Sequence, residues 1–226
     1  MKPNITAIIP VRKNSKRLKN KNFLPFVKKK SLLELKIDQL KKVKYIDRIV
    51  VSSDSLKAKK IAIKKKIDFH LRKKHYASSK VSGGDFFQNL AEEINGDYLV
   101  YCPCTSPIIS LKTYNIFFKK FLHNKKKFDS FNTVSELKTF IWKNQKPLNY
   151  NFLNAPNSQD LPGNYHSLTF GINIIKRNKM IKYKNIVGKN PMFTILNKFE
   201  AIDINDSIDF KLAQMYYKKI FFKRSH

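Results

Sequence analysis

The chain has 226 residues, 42% of them hydrophobic, which suits one domain with a substantial core and excludes a disordered chain. No apolar run approaches bilayer length, and Met1-Lys2-Pro3-Asn4 leads toward a strand without the apolar stretch of a signal peptide, so a cytoplasmic protein with no membrane partner is expected. The formal charge is +30, from 46 Lys and Arg against 16 Asp and Glu, but the lysines are spread along the chain and Arg, the base-reading cation, is scarce. Nucleic acid is therefore expected as a nonspecific, low-salt partner only.

Ile5-Thr6-Ala7-Ile8-Ile9 has strand length and is rich in β-branched residues, and Pro10 stops it. Six cations follow in ten residues, Arg12, Lys13, Lys16, Arg17, Lys19 and Lys21, interleaved with Asn14, Ser15, Asn20 and Asn22. Such a loop cannot be buried and must face water or an anion. A strand emptying into it reads as the start of an open α/β sheet, which binds ligands beyond the carboxyl ends of its strands; the anion expected is a polyphosphate.

Residues 31–43 form a predicted helix, with Ser31 and Glu34 as a capping box and Leu33, Ile37 and Leu40 at helical spacing. Residues 48–52 are a second strand, and Ser53-Asp54-Ser55 ends it, with Asp54 read as the N-cap of a helix reaching about residue 66. Residues 67–71 are a short strand. Ser82, with Asp85 three residues on, caps a helix over 83–94; His75 receives no role. Residues 97–104 are a third core strand. Cys102 and Cys104 near its end make a poor disulfide and half a metal site, so they are read as small buried residues. Ser110 caps a helix over 111–122. In 128–165, Asn, Phe and Tyr replace Lys, which predicts hairpins and loops rather than a βαβ unit. Residues 168–176 return to a core strand, and Asp206 with Asp209 caps a C-terminal helix.

The run Ile8-Ile9-Pro10-Val11-Arg12, then Ser15-Lys16, then Lys21-Asn22, resembles the signature loop of the acylneuraminate cytidylyltransferase family in both order and spacing. Thr105-Ser106-Pro107 is similar to that family's T-S-P-L-R turn, Gln159-Asp160-Leu161-Pro162 to its Q-D-L-P run, and Asp203 with Asp209-Phe210 to its closing D-I-D-x-x-x-D-F motif. The resemblance spans nearly the whole chain and is strongest at 5–26, 105–107 and 200–213. It implies one nucleotidyltransferase domain over 1–226: an α/β fold, a three-layer α/β/α sandwich on a Rossmann-like, mostly parallel sheet. It also implies a small β-rich arm at 128–165 for homodimerisation, with Phe140 and Trp142 as interface anchors.

The activity implied is transfer of CMP from CTP to the anomeric hydroxyl of a nonulosonic, sialic-acid-like sugar acid, with release of pyrophosphate. By the same resemblance Arg12, Lys16 and Lys21 are catalytic, and these three with Ser15, Asn22, Arg72 and Ser82 bind the nucleotide. Thr105, Ser106 and Gln159 hold the sugar, and Asp203 with Asn205 holds Mg²⁺. A capping role stands beside the nucleotide role of Ser82. The chemistry suits these residue types: phosphoryl transfer is governed by positioning and cations, a guanidinium forks onto phosphate oxygens, and ammonium groups act as point charges.

Four departures keep alternatives open. Ile109 and Asn157 stand where the family has Arg, Pro103-Cys104 stands for its usual Gln-Pro pair, and Asn205 stands for its second Asp. The alternatives are a transferase of the same fold with a Kdo-like or non-sugar acceptor or another base, and a catalytically lapsed homologue. A basic nucleic-acid-binding module ranks last.

Overall fold

The computed structural model describes residues 2–15 and 17–222. The elements in chain order are β1 (Ile5–Val11), the small hairpin β2 (Pro25–Val27) and β3 (Lys30–Ser31), α1 (Leu32–Leu40), β4 (Arg48–Ser53), α2 (Leu56–Lys64), β5 (Asp68–Leu71), α3 (Lys74–Ala77) and α4 (Gly83–Glu93). Then come β6 (Tyr98–Tyr101), α5 (Leu111–Asn124), β7 (Ser130–Glu136), the hairpin β8 (Trp142–Lys143) and β9 (Lys146–Pro147), β10 (His166–Lys176), α6 (Arg177–Tyr183), β11 (Pro191–Ile195) and α7 (Ser207–Phe222). No described helix is long and apolar enough to cross a membrane.

The central sheet has seven strands in the order β11-β7-β10-β6-β1-β4-β5. Neighbours run parallel except at β10, which is antiparallel to both β6 and β7. Alternation along β1 builds the layers. Ile5, Ala7, Ile9 and Val11 point into a core shared with Leu33 and Ile37 of α1, Phe117 and Phe121 of α5, and Phe210 of α7. Ile8 points the other way, toward Leu90 and Ala91 of α4 and Met180 of α6. The result is the expected α/β/α sandwich, with β1 buried at its centre.

Serine caps start the helices as their spacing predicts. The Ser31–Glu34 capping box is complete, and the Ser82 and Ser110 hydroxyls accept from the amides of Asp85 and Thr113. One cap is corrected. Ser55, not Asp54, caps α2 by accepting from the Ala58 amide. Asp54 instead accepts the Lys13 amide at 2.8 Å, because its position at the end of β4 faces the loop that leaves β1.

Two expected elements also change. The strand expected over 97–104 pairs only as Tyr98–Tyr101; Cys102 still donates to Ile8, and Pro103 has no N–H to continue the ladder. The segment 128–165 is not an excursion throughout. Its Ser130–Glu136 is an inner strand of the main sheet, paired with β10 and β11. Its inward polar residues are satisfied by one another: Ser130 donates to Asn132 at 2.9 Å, and Asn132 donates to Asn173 at 3.0 Å. The excursion proper follows β7. Its β8–β9 hairpin turns through left-handed Asn144 and Gln145, and Asn149 anchors it by bonding both Ile141 and Thr139. Helix α6 and strand β11 have no counterpart in the sequence reading.

Candidate active site

A cavity of about 440 Å³ opens beyond the carboxyl ends of β1 and β6, the place an open α/β sheet reserves for ligands. The basic loop forms one wall. Its start is pinned by Asp54 on the Lys13 amide, and it re-enters regular structure through left-handed Asn20 and the short turn Lys21–Phe23. Arg12, Ser15, Arg17, Lys21 and Asn22 all line the cavity. Lys16 lies outside the described residues.

Opposite the loop stands the segment that enters α7, contributing Asp203 and Asn205. The two walls are laced together. Arg17 donates to the Asn205 side-chain oxygen at 2.6 Å, Asn205 donates to an Asp203 carboxylate oxygen at 3.1 Å, and the Lys21 ammonium donates to the Ile204 carbonyl. Burial draws the Lys21 ammonium below its ordinary range, against the opposing pull of Asp203, while Arg17 and Arg12 push it further down. An ammonium so placed retains a strong need for anionic company.

The rest of the wall is largely aromatic. Arg72 is buried and stacks 4.9 Å from the Phe86 ring centre. Its Nε and Nη2 tie the ends of β1 and β4 together through Val11 and Ser52, and burial lowers its pKa to about 10. Phe87 and Phe170 meet the Tyr101 ring edge-on at 5.4 and 6.3 Å. Burial pushes the Tyr101 hydroxyl above its usual range, so it stays protonated as a neutral donor.

Of the residues singled out from sequence, the structure gathers Arg12, Ser15, Lys21, Asn22, Arg72, Ser82, Thr105, Asp203 and Asn205 around this one cavity. Ser82 both caps α4 and lines the cavity, so its two readings are compatible. Ser106 and Gln159 are not among its lining residues. Ser106 is buried and its carbonyl accepts from Lys36, while Gln159 is exposed in a short turn of the excursion. Sequence reasoning assigned no role to Arg17, although it stood inside the basic loop, nor to Phe86, Phe87, Tyr101 and Phe170. Only chain folding brings those aromatic residues together.

The metal expectation can be tested on the donor set. Oδ1 of Asp203 is buried without a hydrogen-bond partner, an orphan of the kind a cation satisfies. Asn205, in contrast, turns its amide nitrogen to Asp203 and its oxygen to Arg17. Asp203 therefore fits a cation, whereas the Asn205 oxygen is already engaged. No cluster of three or more His, Cys, Asp or Glu fit to hold a metal occurs among the described residues.

A mostly parallel α/β sandwich with a cationic loop and a lone carboxylate around a cavity at the strand ends is the arrangement of an α/β protein built to receive an anionic, phosphate-bearing ligand. Comparison with known proteins narrows it: the cytidylyltransferase family model matches residues 6–212, and the chain belongs to that family. It is 28% identical over 238 residues to the N-acylneuraminate cytidylyltransferase of Escherichia coli O18:K1:H7 (strain RS218 / NMEC). That alignment takes in 94% of this chain but 52% of the relative, so the chain spans about half the relative's length.

Among solved structures, a CMP:2-keto-3-deoxy-manno-octonic acid synthetase complexed with CTP superimposes with a TM-score of 0.71 at 10% identity, over 96% of this chain and 99% of that one. The 4-diphosphocytidyl-2C-methyl-D-erythritol synthase of Anaerococcus prevotii DSM 20548 gives 0.68 at 13% identity, over 95% and 96%. These two likenesses establish the shared fold.

Proposed function

We propose that the protein transfers CMP from CTP to the anomeric hydroxyl of a sugar acid. The observation that carries this reading is the convergence of Arg12, Ser15, Lys21 and Asn22 with Asp203 on one cavity at the strand ends. In the reaction the hydroxyl oxygen bonds to the α-phosphorus and the bond from that phosphorus to the β-phosphate bridging oxygen breaks. The electron pair leaves with pyrophosphate, and the hydroxyl proton passes to solvent.

Arg12 forks onto phosphate oxygens, and the Lys21 ammonium, on the cavity wall, serves to neutralise charge on the leaving group. Ser15 donates a hydrogen bond to the triphosphate, and Asn22 serves the ribose or base. Lys16 is proposed, on its place in the sequence motif, as a further cation for the triphosphate. Arg72 and Ser82 frame the cytidine half, with the Phe86 face as a surface for stacking. Mg²⁺, held by the free Asp203 oxygen and by phosphate oxygens, would screen the phosphates' charge; such a site needs only one or two protein carboxylates. The working unit is proposed to be a cytoplasmic homodimer.

For the acceptor, the preferred reading is a nonulosonic, sialic-acid-like acid, as in the relative's name, with Thr105 at the cavity and Ser106 and Gln159 contributing only after rearrangement or from a second subunit. One observation favours the second reading, a Kdo-like or other acceptor. Ile109 is buried and packs so closely on Gly171 that a Cβ there would lie 2.6 Å from its Cδ1, so this position sends no cation into the cavity.

Incubation with CTP, Mg²⁺ and a panel of sugar acids, followed by pyrophosphate release, tests the activity. Release is expected with one acid class, falling on the order of 10²-fold in Arg12→Ala or Lys21→Ala. Silence with every acid, while a related enzyme turns over alongside, would overturn it. Thermal shifts with CTP, UTP, GTP and ATP test the base: stabilisation by CTP alone is the expected result.

A further inference from the structure

Lys36 of α1 is completely buried, yet none of the ion pairs among the described residues includes it. Its ammonium donates to the Ser106 carbonyl at 2.8 Å and lies 3.1 Å from the Tyr114 hydroxyl. An amine in the core is expensive whether charged or neutral, and an apolar side chain of similar volume is often no worse for stability. One turn further along the same helix face, Gln39 donates to the Pro107 carbonyl at 2.5 Å, while its own side-chain oxygen is buried without a partner. Lys36 is thus sunk wholly into the core and Gln39 partly, each with a polar group buried at a cost, and both hold the same turn.

That turn is strung between α1 and the cavity. The third of its carbonyls, Thr105, accepts the Ile204 amide at 2.9 Å. Ile204 lies between Asp203 and Asn205, and its own carbonyl receives the Lys21 ammonium. Hydrogen bonds joined by the backbone of 105–107 and of 203–204 therefore lead from Lys36 and Gln39 to the Lys21 ammonium and to Asp203, the two charged groups on which the cavity's chemistry depends.

We infer that Lys36 and Gln39 are positioning residues: by gripping the Ser106 and Pro107 carbonyls, they set Ile204 and so fix where Asp203 and Lys21 stand in the cavity. A misplacement of about 1 Å at such groups is enough to cost about 10²-fold in rate. The kinetic half of this inference rests on the cytidylyltransferase reading; the structural half does not.

The test compares Lys36→Met, which keeps length but loses the donor, and Gln39→Leu with wild type. Amide hydrogen exchange is followed at 203–206 and along β1, with CTP-dependent pyrophosphate release measured alongside. Exchange at Ile204 is expected to quicken at least about tenfold in each variant while β1 amides keep their protection. In the kinetic arm kcat is expected to fall about 10- to 100-fold with KM for CTP changed less than about threefold. Unchanged Ile204 exchange in a folded variant overturns the inference, as does faster exchange with unchanged kcat. If Lys36→Met does not fold, Gln39→Leu, on a residue at the edge of the core, decides by the same criteria. If wild type releases no pyrophosphate with any acid, the activity reading falls and the exchange data alone decide this one.

Discussion

At the scale of single residues, Asn205 carries the most information. Where the related motif has a second acid, this amide bridges the Arg17 guanidinium and the Asp203 carboxylate and so joins the two cavity walls. Asn205→Asp would keep the acceptor for Arg17, now as an ion pair, but replace the donor to Asp203 with a second carboxylate. Without metal the like charges repel, so the melting temperature is expected to fall; with CTP and Mg²⁺ the pair gains a second anionic ligand. Calorimetric titration of Mg²⁺ into the CTP complex is expected to show roughly tenfold tighter binding in the variant, and weaker binding would show that Asn205 is the better partner. The thiols of Cys102 and Cys104 give a separate pH signature. Burial pushes each up to about 12, against an ordinary value of 9.0. A folded-state pKa above the unfolded one supplies stability that is fully present below pH 9 and is lost as pH rises toward 12. Urea unfolding across that window is expected to show declining stability in wild type and a shallower decline in Cys102→Ala/Cys104→Ala. Buried Lys36 acts in the opposite sense: its folded pKa is lowered, so its contribution rises with pH up to its ordinary 10.5, and comparing variants rather than absolute slopes separates the two.

At the scale of elements, what was legible in the sequence follows from how local each signal is. Helices α1, α4 and α5 are announced by a serine and by apolar spacing within a dozen residues, and they start at those serines. The cap energy belongs to this scale. Ser31→Ala removes the hydroxyl that accepts the Glu34 amide, while the residue-31 amide still donates to the Glu34 carboxylate; the loss is expected to cost about 1 kcal/mol, a fall of roughly 2–4 °C in melting temperature for a chain of this size, measured by calorimetry. Strand β7 escaped because Ser130, Asn132 and Thr133 face inward, against the apolar pattern by which a strand is read; their partners lie on β10 and near α6, far along the chain. The candidate site divides in the same way. The basic loop is contiguous and could be read directly, and the match of Asp203 to a known motif, with Asn205 in the place of its second acid, placed the opposite wall. The Arg17–Asn205 bridge, the stacking of Arg72 on Phe86 and the gathering of Tyr101, Phe87 and Phe170 are contacts between distant segments, for which no short pattern exists. Even the misread Asp54 follows this rule, since its true partner is an amide on the neighbouring strand's loop.

At the scale of the whole molecule, charge and surface pull against each other. The excursion after β7 carries a knot of aromatic residues, with Trp142 lying 6.0 Å from Tyr150 and 6.3 Å from Phe152. Phe152 is 65% exposed and Leu153 beside it 91%, an apolar outcrop on a chain of net charge +30. Outcrops of this kind mark association sites, and the expected partner is a second copy. Two such copies repel through their net charge while their apolar surfaces attract. Salt screens the first force over about 10 Å at 0.1 M and leaves the second intact. Self-association is therefore expected to tighten as NaCl rises from low to moderate concentration, whereas binding of the anionic nucleotide in the cationic cavity weakens over the same range. Sedimentation velocity at several salt concentrations, paired with CTP titrations in the same buffers, reads both trends. Leu153→Asp with Trp142→Ser is expected to leave a monomer at every salt concentration with its melting temperature little changed, because both side chains stand outside the core. A dimer that persists in this variant, or one that dissociates as salt is added, would mean that charged surfaces and not the excursion hold the copies together.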